Sequence, residues 1–176
     1  IDTMKGIKYL IEAIHYLELN ITRKVKLIIC GEAVSSGKDY LKYLKKLSKG
    51  FKKNEIIFSN FVSGNEKLAL YDVASIFVLP SSYEPFGLTV LEAMAKGKFV
   101  IATSMCGSKY IVNRGGGIIV NYEKVEERAE KLVKAIIETT YLDLRGIRKR
   151  MIRIVKKHSW KEVAKETLKI YHKLYP

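Results

Sequence analysis

Residues 75–103 read "SIFVLPSSYEPFGLTVLEAMAKGKFVIAT". The run "SIFVLP" is β-branched and aromatic and stops at Pro80, which reads as a buried strand. Leu88 to Lys96 has the apolar spacing of a helix, with Leu88, Leu91 and Met94–Ala95 as its buried stripe, and "FVIAT" (99–103) is a second strand. A strand, a helix and a strand in so short a stretch require parallel strands joined by a crossover.

The same alternation extends in both directions. Upstream, Ile7, Leu10, Ile11, Ile14 and Leu17 form one stripe of a helix, and "VKLIIC" (25–30) reads as a buried strand ending at Gly31. A Lys-rich helix over 38–49, the strand "EIIFSN" (55–60) and the short helix "GNEKLALYDVA" (64–74) follow. Downstream, "GIIVN" (117–121) is the last strand, and three helical segments over 123–140, 144–157 and 160–174 close the chain. Ser159 with Glu162 three residues on is a capping box for the final helix, and Trp160, Val163, Ala164, Leu168 and Tyr171 are the stripe that anchors it. The fold class is therefore α/β: a Rossmann-like parallel sheet with helices on both faces. Its 176 residues suit one domain, and neither an internal repeat nor a low-complexity tract interrupts it.

In an open α/β sheet ligands bind beyond the carboxyl ends of the strands. Those ends lead into "GEAVSSG" (31–37), "SNFVSG" (59–64), "PSSYEPFG" (80–87) and "SMCGS" (104–108). The third is the most informative, because Gly87 opens a helix whose first amides, on Gly87, Leu88 and Thr89, lack intrahelical acceptors and suit a phosphate. Glu84 and Glu92 flank that anion site. A carboxylate repels phosphate, so both acids are expected to face neutral hydroxyls, since an ionised carboxylate accepts two charge-assisted bonds from a vicinal diol. The bland alternatives are a solvated loop acid favouring a helix N-terminus for Glu84 and an exposed helix residue for Glu92.

Composition excludes several classes. No apolar run approaches the length of a membrane helix, so a soluble protein is expected. The chain opens on Ile1 without a signal-peptide pattern, which reads as a cut inside a longer protein. Cys30 and Cys106 have no disulfide or metal-ligand spacing and read as buried free thiols of a reducing compartment. His15, His158 and His172 lack partner spacing for a metal; His158 reads as a helix C-terminal dipole partner. Gly115 to Gly117 precede a strand rather than a helix, so a hairpin-like turn is expected there, not a phosphate loop. The net charge of +14 concentrates in 38–53 and 145–173 at helical spacing. Such faces attract polyanions, although no RNA-binding motif accompanies them and the G-x-G-x-x-G fingerprint of an NAD-binding half is missing.

The ordered set "KG" (5–6), "LIICGE", "SNFVSGNEKLALYDVAS", "LPSSYEPFGLTVLEAMAKGKFVIAT", "CGSKYIVNRGGGIIV" and "HSWKEVAKETLKIYHKLY" resembles the retaining, nucleotide-sugar-dependent glycosyltransferases of the GT-B architecture, group 1. Glu84 and Glu92 meet that family's E-x7-E motif. The resemblance implies a donor-binding domain over 1–176, with an acceptor-binding N-terminal domain and one upstream strand lying outside the chain, and a last helix that packs back across the interdomain boundary, with part of the Trp160 stripe exposed here. It implies that Lys5 contacts the donor diphosphate, that Gly87, Leu88 and Thr89 bind phosphate and sugar oxygens, and that Pro85 and Phe86 line the donor. Glu84 would hold sugar hydroxyls near the reacting carbon, with Lys5 as its catalytic partner, and Glu92 the ribose. The base would lie near Phe61 and Val62, with Gly31 giving it room.

The reaction implied is transfer of a hexosyl group with retention and without an obligatory metal or other cofactor, and no D-x-D motif occurs. Implied partners are a nucleotide-sugar donor, a glycan or lipid-linked glycan acceptor, and, from the basic surface, an anionic membrane; nucleic acid is not among them. The implied place is cytoplasmic, peripheral at the inner membrane face, and the fragment alone is expected to be inactive. Ser75, Phe99 and Tyr110 depart from the residues common in the family, which leaves the 106–111 loop with the Gly107 and Ser108 amides as its donors.

Overall fold

The computed structural model describes residues 1–20, 24–33 and 37–175, so Val34, Ser35 and Ser36 of the "GEAVSSG" rim lie outside the described residues. A 3-10 turn, Thr3–Lys5, leads into α1 (Ile7–Asn20). Then come β1 (Lys26–Cys30), α2 (Lys38–Leu47), β2 (Glu55–Ser59), α3 (Gly64–Val73), β3 (Ile76–Leu79), α4 (Leu88–Ala95) and β4 (Phe99–Thr103). The short α5 (Lys109–Val112), β5 (Gly117–Val120), α6 (Arg128–Thr139), α7 (Leu144–Lys156) and α8 (Trp160–Leu174) complete the order.

All strand pairs are parallel. They are divided between two sheets, β1–β2 and β3–β4–β5, where the alternation alone suggests one. Alternate residues of a strand point to opposite faces, and the central sheet uses this fully. Ile76 and Val78 of β3, Ile101 of β4 and Val120 of β5 pack under α1 and α6, while Phe77, Leu79, Val100, Ala102 and Ile119 pack against α4, α5 and α7. Every residue of β4 is buried. The result is a Rossmann-like layering of helix, parallel sheet and helix. Leu27 and Ile56 of the smaller sheet join the same cluster beneath α1, so one helix covers both sheets.

Several sequence expectations change. "VKLIIC" is not a buried strand: only Ile29 of β1 is buried, and Lys26, Ile28 and Cys30 are exposed, because β1 pairs on one side only. Cys30 is therefore an exposed thiol, whereas Cys106 is buried as expected. The buried stripe of α4 is Val90, Leu91, Ala93 and Met94, while Leu88 and Ala95 face outward. Gly115 to Gly117 do not form a hairpin turn. They join α5 to β5, which runs parallel to β4, and a Cβ on Gly117 would stand 1.9 Å from the Val100 carbonyl oxygen.

Trp160 does not anchor the last helix. Ser159 caps α8 through the Glu162 amide at 3.4 Å as expected, but no residue of α8 is buried and Trp160 is 75% exposed. None of its apolar side chains joins a core cluster of the described residues. The basic face of α7 is the counterpart: Ile147, Met151, Ile154 and Val155 turn inward, leaving Arg145, Lys149, Arg150 and Arg153 exposed on a helix without an acid.

Candidate donor site

The site is assembled where the chain leaves β3 and β4. Asp2 caps the Thr3–Lys5 turn through the amides of Met4 and Lys5, at 2.8 and 3.2 Å. Gly6 closes the turn at φ +65°, a conformation that only glycine adopts without cost. The Met4 carbonyl then accepts from the Ser82 amide at 2.7 Å, tying this turn to the loop after β3. Consequently Lys5 and Glu84, 79 positions apart in sequence, meet at 2.9 Å between Nζ and Oε2.

Glu84 is also fixed by its backbone. Its amide donates to the Met105 carbonyl at 3.2 Å and its carbonyl accepts from the Gly107 amide at 2.9 Å, so the loops after β3 and β4 form one isolated parallel bridge. The Ser108 amide donates to the Phe86 carbonyl at 2.8 Å. The Gly107 and Ser108 amides are therefore spent on the loop itself and are not the free donors expected from the sequence. Gly107 has to be glycine because its Cβ would lie 2.0 Å from the Pro85 carbonyl oxygen.

The amides of Gly87, Leu88 and Thr89 are different. They have no backbone acceptor among the described residues, and the first internal bond of the turn runs from the Val90 amide to the Gly87 carbonyl at 2.9 Å. Gly87 sits at φ +85°, with Cys106 Sγ 2.9 Å and Ser108 Oγ 3.1 Å from where a Cβ would be. Pro85, Phe86, Leu88 and Thr89 are exposed around it. A helix N-terminus with open amides beside a lysine is a place for anionic oxygen.

Glu92 stands further along α4, on its outer side; its side chain is half-exposed but paired. Lys67 Nζ lies 2.8 Å from Oε1, and the Tyr71 hydroxyl donates to Oε2 at 3.0 Å. Lys96, four residues on, pairs with Asp72 at 2.8 Å instead. Sequence reasoning missed Lys67 and Tyr71. Their signal is their four-residue spacing, which sets them on one face of α3.

The remaining expected site residues gather separately. The Gly31 amide donates to the Asn60 carbonyl at 3.2 Å, and both line a hollow of about 320 Å³ at the carboxyl ends of β1 and β2, with Phe58 and Ser59. Phe61, 67% exposed, and Val62 follow directly on Asn60. No hydrogen bond or ion pair among the described residues joins this group to Glu84 or Glu92. The larger hollow, about 500 Å³ beside His15 and Glu18, is a structural corner. His15 stacks on Phe51 and bonds the Leu47 carbonyl, and Glu18 is occupied by the amides of Lys52, Lys53 and Asn54.

Sequence also gave no sign that Arg128 is buried. It is 4% exposed, its guanidinium lies between the Tyr9 and Tyr122 rings at 4.3 and 4.2 Å, and Nη1 donates to Ser82 Oγ at 2.7 Å. That bond braces the 80–84 loop from below.

Among the described residues, no helix is long and apolar enough to cross a membrane. Among known proteins, an uncharacterized glycosyltransferase of Methanocaldococcus jannaschii is 31% identical over 95% of this chain and 41% of its own length. The solved sucrose-phosphate synthase of Thermosynechococcus elongatus superposes with a TM-score of 0.76 at 27% identity, covering 99% of this chain and 43% of that one. The C-terminal domain of a group 1 family glycosyl transferase from Francisella tularensis superposes with a TM-score of 0.69 at 30% identity, over 89% and 80% of the two chains. The chain thus spans less than half the length of curated relatives that it matches. The family model "Glycosyl transferases group 1" matches residues 1–158, and with the GT-B layering and the Glu84–Glu92 motif in place, this chain belongs to the group 1 glycosyltransferase family.

Proposed function

We propose that this chain is the donor-binding half of a retaining glycosyltransferase that moves a hexosyl group from a nucleotide-diphosphate sugar to an acceptor. The observation that carries the proposal is the Lys5–Glu84 pair at 2.9 Å beside the open amides of Gly87, Leu88 and Thr89. The diphosphate lies on those amides and on Lys5, which together stabilise the charge that develops as the sugar departs. Glu84 holds sugar hydroxyls near the reacting carbon, and Glu92 holds the ribose. The base occupies the hollow by Gly31 and the 61–62 loop, and Pro85 and Phe86 wall the donor. Acceptor groups come from a separate N-terminal domain, so this chain alone is inactive.

One further strand belongs to the same reading. Among the described residues β1 and β3 each leave an edge unpaired, and α1 spans both sheets, which supports a strand from upstream of Ile1 seated between them. Such a strand would join the two sheets into one.

A thermal-shift panel with UDP, GDP, ADP and their sugars tests the function. At about 100 times the dissociation constant, the matching nucleotide is expected to add about 2.7 kcal/mol of stability. Absence of any shift in a protein that carries the upstream strand contradicts the proposal.

The basic face of α7 favours one extension: the enzyme works at the cytoplasmic face of an anionic membrane, on a lipid-linked acceptor. Co-sedimentation with liposomes is expected to rise with the fraction of anionic lipid and to fall steeply with salt. The alternative, a non-enzymatic basic module for nucleic acid or anionic lipid, predicts tight, steeply salt-dependent polyanion binding that survives Glu84→Ala and Glu92→Ala, together with no thermal shift from any nucleotide in the unaltered protein.

A further inference from the structure

This inference rests on the reading of Glu92 as the acid that receives ribose hydroxyls, and it concerns what prepares that carboxylate. An ionised carboxylate offers about four lone-pair positions, two on each oxygen. In this fold α3 occupies one on each: Lys67 Nζ on Oε1 at 2.8 Å and the Tyr71 hydroxyl on Oε2 at 3.0 Å. One position on each oxygen remains. Two adjacent hydroxyls match that pattern, and a lone hydroxyl uses only half of it.

Tyr71 is suited to fix the carboxylate. The residue is 7% exposed and its ring packs edge-on against Phe77 at 5.8 Å and 61°, so it has little freedom to turn. Its hydroxyl has two near neighbours, Glu92 Oε2 and the Thr89 carbonyl at 3.3 Å, and both are acceptors, so the hydrogen has to point to them. Burial, followed by the adjacent Glu92 charge and hydrogen bond, pushes the hydroxyl pKa well above its ordinary value, and Tyr71 stays a donor. Lys67 adds a second restraint and a positive charge. That charge offsets Glu92 on the same helix whose first amides are assigned to a diphosphate.

We propose that Tyr71 and Lys67 are positioning residues that hold Glu92 as a reader of vicinal hydroxyls, so that α3 sets the preference of this site for ribonucleotides over 2′-deoxyribonucleotides. Neither residue touches the reacting atoms. Their effect is on which sugar the carboxylate accepts.

The test is calorimetric titration of the complete protein with UDP, GDP and ADP, each against its 2′-deoxy counterpart. The nucleotide that binds is expected to be favoured over its deoxy form by about 10- to 100-fold, the range of one hydrogen bond to a charged group. Tyr71→Phe and Lys67→Met are each expected to cut this ratio severalfold by weakening the ribo form, with little change for the deoxy form, and Lys67→Arg to restore most of it. A ratio lost in Glu92→Gln but kept in both α3 variants overturns the proposal and leaves the Glu92 reading intact. Equal weakening of both sugars by the α3 variants also overturns it, since that is a structural effect. No preference in the unaltered protein, or a preference that survives Glu92→Gln, removes the ribose reading and the proposal together. If Tyr71→Phe fails to fold, the half-exposed Lys67 decides the matter alone.

Discussion

Gly6→Ala is expected to destabilise the protein by about 3 to 5 kcal/mol and to weaken donor binding at least tenfold. The residue sits at φ +65°, where an L side chain costs about 1 to 2 kcal/mol. Its Cβ would also fall 1.9 Å from the Pro80 carbonyl oxygen and 2.8 Å from the carbonyl carbon. That obstacle is backbone at the end of a core strand, so no rotamer change relieves it. The turn or the 80–84 loop has to move, and the Met4–Ser82 hydrogen bond lies directly between them. Lys5 would then lose its register with Glu84. Gly146→Ala supplies the opposite case: Gly146 lies inside α7 with nothing within 4 Å of its Cβ position, so alanine is expected to stabilise by about 0.5 to 1 kcal/mol. Urea denaturation of the two variants, with nucleotide titrations alongside, reads both signs.

Glu84→Gln is expected to do the reverse, leaving stability almost unchanged while lowering glycosyl transfer by the complete protein about 10²- to 10³-fold. Glutamine keeps the shape of the side chain, and the backbone bonds of residue 84 to Met105 and Gly107 do not depend on its charge. The Lys5–Glu84 pair contributes little to folding, because Lys5 is 45% exposed and such pairs are worth about 0 to 1 kcal/mol. What is lost is a negative charge near the reacting carbon and the partner that aims Lys5. Melting temperature and rate, measured on the same preparation, separate these terms. A large loss of stability with transfer unchanged would make the pair structural and remove Glu84 from the chemistry.

The sequence was most legible where structure is local. "FVIAT" is a wholly buried strand with the predicted bounds, since a strand covered on both faces needs an unbroken apolar run. The helix from Leu88 and the strand Ile76–Leu79 were equally plain from periodicity and from Pro80. What was hidden depends on which distant segments meet. The amides of Gly107 and Ser108 looked available because nothing in "CGS" tells that Glu84 and Phe86 will take them. The partners of Glu92 were hidden because they stand 25 and 21 positions earlier on another helix.

Composition misled in a similar way. "VKLIIC" has the content of a central strand, yet five of its six residues are exposed or half-exposed because one edge of β1 is unpaired among the described residues. Trp160 and its stripe have the pattern of a packed helix, but pattern records only that a partner is needed. It does not say that the partner lies within the chain. Arg128 is the converse, a charged residue at a position that the fold buries, and only the Tyr9 and Tyr122 rings and Ser82 make that burial intelligible.

The central claim is that a nucleotide-sugar diphosphate binds on the N-terminus of α4 between Lys5 and Glu92. A crystal structure of the complete protein with its nucleoside diphosphate tests it most directly. The account predicts phosphate oxygens within about 3 Å of the amides of the 87–89 turn and of Lys5 Nζ, with the ribose diol on Glu92. Phosphates lodged elsewhere, on the arginines of α7 or in the hollow beside His15, with the 87–89 amides left open, would contradict it.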